Sequence, residues 1–146
     1  PARRELAVRL SQGSVGLALE LLVDASLPDV MAVVRCAMEA AADGPVGVFS
    51  GDKAPLWSAW AQAIGDKGTG RAARERNACA RATDLWLLHL GQHLRGFEGL
   101  PGLPAPRGDV PALLRQIDRL QALREALPRN PNVRLLLEQT LLELRA

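Results

Sequence analysis

The sequence predicts an all-α fold, a bundle of helices, and three observations lead to this prediction. First, 48% of the 146 residues are hydrophobic but only 3% are aromatic, and long segments consist of Ala, Leu, Arg and Glu, which favour helix. Second, Arg71–Leu94 has helical periodicity with a single interruption at Gly91. Third, the sequence has no sustained alternation of β-branched and aromatic residues, which is the usual strand signal.

The segment Arg71–Leu94 is expected to form the axis of the bundle. Its first half is rich in arginine with small residues between, whereas Leu85–Leu90 is apolar on every side of a helix. A polar stretch followed by an all-apolar one is typical of a helix that leaves the solvent and enters a core. We therefore expect this helix to be buried from Leu85 onward and covered by the other helices.

Start and stop signals place the helices before this axis. Short helices are expected at 2–10 and 15–23, joined by a corner at Ser11–Ser14, and a further helix is expected to follow Pro55. Pro28 and Asp29 suit the first turn of a helix that Gly44 and Pro45 would end. The predicted buried side of that helix consists of Val30, Val33, Val34, Ala37 and Ala41.

Two helices are expected after the axis. Asp109 and Pro111 predict the start of the first, and Asn130 with Pro131 predicts an N-cap and first turn for the second. Between the axis and these helices, residues 96–108 contain four glycines and three prolines, which favours a plain connection that is mobile or in polyproline conformation. The alternatives are that Phe97, Leu100 and Leu103 anchor parts of this loop to the bundle or that the loop docks another protein. The apolar stripe of the first helix is expected to be Val110, Leu113, Leu114, Ile117, Leu120, Leu123 and Leu127.

The last helix has too many apolar residues for one face. Leu137 and Leu141 are expected to point inward. A helix covered on one side only would have polar residues at the positions that Leu135 and Leu142 occupy in this sequence. We therefore predict that the hairpin of the last two helices contacts another chain. The candidate interface residues are Leu135, Leu136, Leu142, Leu120 and Leu127.

Charge and cysteine content set limits on the class of protein. A net charge of +2 and a pI near 9.0 are only mildly basic, and the basic cluster Lys67–Arg76 is interrupted by acidic residues and contains no aromatic residue, so we expect no DNA contact. Cys36 and Cys79 are interpreted as reduced packing residues of a cytoplasmic protein. No apolar run is long enough to span a membrane.

The motifs for catalysis and cofactor binding are incomplete. Gly47–Ala54 approaches a phosphate loop, but Asp52 replaces a glycine and would repel phosphate, and Ala54 lacks the hydroxyl that holds magnesium. His89 and His93 have the spacing of two metal ligands on a helix, but no third ligand is near in sequence. We therefore predict no enzyme activity, no metal and no cofactor.

Two stretches together resemble one protein family. The sequence from Arg9 to Glu20 resembles the end of the helical lid in the delta-prime subunit of the bacterial DNA polymerase III clamp loader, and Asn130–Leu142 resembles the last helix of that subunit. The resemblance implies residues 1–25 as the end of an AAA+ lid and residues 26–146 as the C-terminal helical collar domain, with the loop 96–108 inside it.

The resemblance also implies a function. Collars of this family hold five subunits in the ring that loads the sliding clamp during DNA replication, so the implied partners are the gamma/tau and delta subunits. Gly16 occupies the place where ATP-binding relatives have a sensor arginine, which agrees with the non-hydrolysing delta-prime member. The ATPase domain of the family would precede Pro1.

Three alternatives remain open at the level of sequence. The first is the collar of a gamma/tau subunit. The second is a helical module unrelated to replication that binds a ligand or regulator in a pocket lined by Trp57, Trp60 and Trp86. The third is a metal-dependent enzyme that uses His89 and His93.

Overall fold

The computed structural model describes residues 4–5, 27–43, 70–129 and 132–144. These residues contain the helices α1 (Leu27–Asp43), α2 (Arg71–Leu94), α3 (Val110–Ala126) and α4 (Val133–Glu143). No strand occurs among the described residues, and the all-helical prediction is confirmed. The predicted helices at 15–23 and after Pro55 and the boundary between residues 25 and 26 lie outside the described residues, and of the predicted helix 2–10 only Arg4 and Glu5 are described, as helical.

Helix α2 is the axis of the bundle, as predicted, because it contacts each of the other three helices. Its bounds coincide with the predicted segment. Burial begins earlier than expected, however, since Ala78, Cys79 and Thr83 are already buried. Small side chains at these positions let α1 approach closely, so a stretch that looks polar in sequence still forms part of the core.

Helix α1 covers the first half of α2. It begins at Leu27 and ends at Asp43, directly before the predicted stop at Gly44. Val30 and Val33 pack with Ala78 of α2 in one apolar cluster. The predicted buried side is confirmed in full, since Val30, Val33, Val34, Ala37 and Ala41 are all buried.

Helix α3 covers the second half of α2, and the two helices run antiparallel. The Arg124 guanidinium of α3 donates to the Asp84 carboxylate of α2 over 3.0 Å, while the connection 95–109 joins the end of α2 to the start of α3. Asp109 caps α3 by accepting a hydrogen bond of 3.0 Å from the Ala112 amide. The predicted start of α3 is therefore confirmed.

The apolar stripe of α3 is narrower than predicted. Val110 and Leu114 are 59% and 50% exposed, so their assignment to the buried stripe is wrong. They lie one turn apart on a side of α3 that is mainly exposed, whereas the buried leucines of α3 lie on another side of the helix. The buried members of the stripe are Leu113, Leu120, Leu123 and Leu127.

Helix α4 closes the described core. Its N-cap is Asn132, whose side-chain oxygen accepts a hydrogen bond of 3.0 Å from the Leu135 amide, and not Asn130 as predicted. Two asparagines in one short connection offer the same capping oxygen, and the path of the chain into the bundle selects between them. Val133, Leu141 and Leu144 are buried against α2 and α3.

Candidate functional site

The connection 96–108 is a folded loop anchored on the buried side chain of His89. The Leu100 amide donates to Nδ1 of His89 over 2.9 Å, and Nε2 of His89 donates to the Pro104 carbonyl over 2.8 Å. His89 is 0% exposed and Leu100 is 3% exposed. The loop is therefore anchored to the bundle, which the sequence leaves open as an alternative to a plain connection.

These two hydrogen bonds fix the protonation state of His89. A backbone amide can only donate, so Nδ1 must hold a free lone pair, and a carbonyl can only accept, so Nε2 must carry the proton. Burial lowers the pKa of His89, the hydrogen bond to the Pro104 carbonyl opposes this effect, and the nearby His93 lowers the pKa further. His89 is thus a neutral imidazole in the bundle.

Glycines allow the loop to approach the ring. Gly99 has a φ of 94°, and a Cβ built on it would lie 2.5 Å from the His89 ring. Gly102 also has a positive φ, and its carbonyl accepts a hydrogen bond of 3.1 Å from Arg35 of α1. The loop is thereby joined to both α1 and α2. Of the three predicted apolar anchors, Leu100 is buried and Leu103 half-buried, whereas Phe97 is 62% exposed.

The histidine pair is arranged for packing and not for shared metal binding. Both ring nitrogens of His89 are engaged with the loop, so this side chain offers no free lone pair to a metal ion. Within the described part of the chain, no group of three or more histidine, cysteine, aspartate or glutamate residues could hold a metal ion. Neither Cys36 nor Cys79 forms a disulfide bond in the described part of the chain.

The predicted interface residues separate into two groups. Leu120 and Leu127 are 0% and 2% exposed, so they belong to the core of this chain and cannot contact a partner while it is folded. They lie on the side of α3 that packs in the central cluster with α2 and α4. Leu136 and Leu142 are partly buried against the same cluster, and Leu135 is 59% exposed.

The inner and outer sides of α4 are less sharply divided than predicted. Leu141 is buried at 1% exposure, as expected, but Leu137 is only partly buried. Because Leu137 and Leu142 are both at intermediate positions, Leu135 alone among the leucines of α4 is mainly in solvent. The sequence did not identify Phe97, Val110 and Leu114 as exposed. For α3 a signal of exposed apolar residues was present, because this helix has more apolar residues than one helical face can hold.

A pocket of about 300 Å³ opens beside Trp86. Its walls come from the end of α1, from Trp86 of α2, from the second half of the loop, and from the first turns of α3. The indole N–H of Trp86 is buried and has no hydrogen-bond acceptor among the described residues. The lining residues are Met38, Glu39, Ala41, Ala42, Trp86, Pro104, Ala105, Pro106, Arg107, Gly108, Ala112, Gln116 and Leu144.

Several residues singled out in the sequence lie outside the described residues. These are Gly16 at the place of the sensor arginine, the phosphate-loop-like segment 47–54, and Lys67 of the basic cluster. Trp57 and Trp60, which were to line a pocket with Trp86, are also outside. What the sequence predicts for these residues therefore stays a prediction.

Comparisons with known proteins give no neighbour for this chain. No protein-family model, no curated protein and no solved structure matches it. None of the helices in residues 27–43, 70–129 and 132–144 combines the length and hydrophobicity needed to cross a bilayer.

Proposed function

We propose that this chain is the collar region of a clamp-loader subunit of the delta-prime type, with the end of an AAA+ lid before it. In this role it would hold its subunit in the ring that loads the sliding clamp during DNA replication in the cytoplasm. The partners would be the collars of the gamma/tau and delta subunits. The chain would contribute no catalytic group and would need no cofactor or metal of its own.

The observation that carries this proposal is the position of Leu135. This large apolar side chain is 59% exposed on a helix that buries Leu141 in the core on another side. A helix with apolar residues on two sides is typical of an element that packs against its own bundle and against a second body. The all-helical fold and the two family-like stretches at opposite ends of the chain agree with this role.

The interface proposed for the collar is smaller than the one expected from sequence. It retains Leu135, Leu136 and Leu142 and omits Leu120 and Leu127, because the latter two are already buried within the chain. Fixed interfaces between ring subunits commonly bury upwards of about 2,000 Å². Residues of other elements must therefore contribute, and the exposed side of α3 with Val110 and Leu114 supplies apolar area for this.

The proposal is tested by binding. The 146-residue chain is mixed with purified gamma/tau and delta collar domains under reducing conditions at moderate salt, and the mixture is analysed by size-exclusion chromatography. We expect co-elution with at least one of them. Absence of a complex with either collar at micromolar concentration would overturn the proposal, since such assemblies are held together mainly by their collars.

A pair of variants locates the interface. Leu135→Asp should weaken binding at least about tenfold without unfolding the chain, because a solvated charge must be buried when the partner docks. Ala122→Asp places the same charge at an exposed position of α3 that is not assigned to the interface and is the control. Equal affinity of the Leu135→Asp variant and the unmodified chain would remove α4 from the interface.

Two further readings have separate tests. An intact phosphate loop and an arginine-finger motif in the sequence before Pro1 would favour the gamma/tau collar. The ligand-binding module is a second candidate because Trp86 lines a pocket of about 300 Å³ in the described bundle. That pocket does not depend on the collar role, and its occupancy is measurable by itself.

A further inference from the structure

The loop between α2 and α3 covers an apolar strip on α1 and α2, formed by Met31, Leu85 and Leu88. Leu100 of the loop is buried with Met31 in one apolar cluster, and Leu85, Leu88 and Leu103 pack against that cluster. The cluster is distinct from the larger one that joins all four helices. The loop can therefore leave the strip without opening the main core of the bundle.

Glycines near both ends of the loop allow this movement. Gly96 follows α2 directly after its cap and has a φ of 89° with open space around it. Gly108 precedes the N-cap of α3 and has a φ of 104°. The caps Arg95 and Asp109 form their hydrogen bonds within α2 and α3. Because glycine changes its backbone conformation at little steric cost, the residues between can move while both helices stay capped.

The segment 99–104 is fastened to the bundle by a buried latch, which is the pair of hydrogen bonds to the His89 ring. Nδ1 of His89 accepts from the Leu100 amide over 2.9 Å, and Nε2 donates to the Pro104 carbonyl over 2.8 Å. A further bond of 3.1 Å runs from Arg35 of α1 to the Gly102 carbonyl, but it is exposed to solvent. The latch therefore depends on one imidazole.

A second proton on this imidazole would break the latch. The proton would have to bind Nδ1, and an imidazolium can only donate, so two N–H groups would face each other where the Leu100 amide now donates. The ring is 0% exposed, and the backbone of Gly99 lies against it, so the added charge would be costly to bury. Lifting the segment would give the charged ring access to water. Burial lowers the pKa of His89, as a closed latch requires.

Ionisable side chains on the neighbouring elements must be separated from His89 in any test. The described ones nearest the latch are His93 on α2, Glu98 and Arg107 in the loop, and Arg35 and Glu39 on α1. Helix α3 meets the end of the loop through the neutral amide of Gln116. His93 lowers the pKa of His89. Both nitrogens of the His89 ring, however, are bonded to the loop backbone.

We infer that the segment 99–104 is a strap that acid opens: a proton on Nδ1 of His89 releases it from the bundle and exposes the apolar strip, while the four helices stay folded. The strap is closed in neutral solution. The inference goes beyond a general loss of stability in acid, because it places the opening in one segment. It does not rest on the collar role.

Hydrogen exchange in the unmodified 146-residue chain tests the strap. The protection factors of the Leu100 amide and of the Leu141 amide in the core of α4 are measured by NMR between pH 7.5 and pH 4.5. Protection of Leu100 should fall about tenfold per pH unit below about pH 6.5. Leu141 should stay at least about tenfold better protected than Leu100 at every pH, because its amide opens only with the bundle.

A second readout follows the apolar strip itself. With ¹³C-methyl methionine in the chain, the Met31 signal is assigned from a Met31→Leu variant and followed over the same pH range. It should shift with the same midpoint as the ¹⁵N resonances of the His89 ring, since Met31 packs with Leu100 only while the strap is closed.

Three variants assign the proton. His89→Gln keeps one acceptor and one donor at the end of the side chain but has no titratable group, so the fall in Leu100 protection with pH should disappear. His93→Gln and Glu98→Gln remove the other titratable groups next to the segment and should leave that fall unchanged.

Four results would overturn the inference. Equal protection of Leu100 and Leu141 at every pH would mean that the segment opens only with the whole bundle. Leu100 protection that does not change with pH would uncouple the loop from protonation. The same fall in the His89→Gln variant would assign the proton to another group. If that variant does not fold, midpoints of the Met31 shift and the His89 ring that differ by more than about one pH unit would have the same meaning.

Discussion

His89 is the residue that joins the loop 96–108 to α2. Its buried ring bonds two backbone groups of the loop, the buried Leu100 amide and the Pro104 carbonyl, which belongs to an exposed residue. A buried backbone group without a partner is costly, so the hydrogen bond to the Leu100 amide has a large local effect. The same hydrogen bond to Pro104 holds the first residue of the pocket wall formed by Pro104 to Gly108.

The first prediction concerns Gly99, whose backbone lies beside the His89 ring. Gly99→Ala should destabilise the fold by about 2–4 kcal/mol, because the new Cβ meets the His89 ring at 2.5 Å and the residue has a positive φ. Gly96→Ala is the matched control, since Gly96 has a φ of 89° with open space around it and tests the backbone cost alone. Urea unfolding measures both, and equal losses would show that the ring contact contributes nothing.

The second prediction concerns the pH dependence of stability. Since burial lowers the pKa of His89 in the folded chain, the unfolded chain binds a proton more readily below its ordinary pKa of about 6.5. The contribution of neutral His89 is therefore complete above about pH 6.5 and is lost progressively as the pH falls through and below that value. The free energy of unfolding should decrease there by up to about 1.4 kcal/mol per pH unit from this group.

His89→Gln is the variant that isolates this effect. Glutamine keeps one amide that can bond the loop but has no titratable group, so the loss of stability between pH 7 and pH 5 should be smaller than in the unmodified chain. His93→Gln should keep most of the slope, because desolvation of His89 is the largest cause of its pKa shift. The same slope in all three chains would contradict the assignment.

At the scale of elements, α4 combines a buried and an exposed apolar side. Leu141 is 1% exposed and Leu135 is 59% exposed on the same helix. The same contrast occurs on α3 between Leu120 and Leu114. The two helices thus contribute to the core with one stripe each and retain apolar surface on another side, which is why the proposed contact with a second chain is placed on this hairpin.

The third prediction follows from this division. Leu141→Ala should lower the free energy of unfolding by about 2–5 kcal/mol, because it opens a cavity between packed helices. Leu135→Ala removes the same atoms from a solvated position and should change stability by no more than about 0.5 kcal/mol. The comparison is made by urea unfolding of the isolated chain. A loss at Leu135 as large as that at Leu141 would show that α4 is covered on both sides within the chain itself.

For the whole molecule, burial of Cys79 provides a reporter of global opening. Burial raises the pKa of the Cys79 thiol to about 12, an effect that Thr83 and Arg124 reduce. The thiolate is the reactive form, so Cys79 should react with iodoacetamide at pH 8 only when the bundle opens. In a Cys36→Ser variant, labelling measured by mass spectrometry should rise along the same urea curve as unfolding measured by circular dichroism.

Cys36 provides the contrast for this fourth prediction. It is partly exposed in α1, and in a Cys79→Ser variant its thiol should be alkylated under native conditions. Rapid native labelling of Cys79 would mean that the contact between α1 and α2 opens locally without unfolding of the whole bundle.

The sequence by itself determined the fold class, the bounds of α2, the buried side of α1 and the cap of α3. These features depend on local patterns, namely the repeat of apolar residues along one helix and the residue types at its first turn. Leu135 as an exposed apolar residue of the candidate interface also came from such a pattern. Each of these inferences used residues close together in the chain.

The tertiary structure alone decided the features that depend on distant residues. The contact of His89 with Leu100 and Pro104, the burial of Leu120 and Leu127 and the exposure of Val110 depend on where neighbouring elements lie. The pocket beside Trp86 likewise exists only where four elements meet. Periodicity identifies an apolar stripe but does not identify what covers it, because that depends on the relative positions of the helices and on the path of the loop between them.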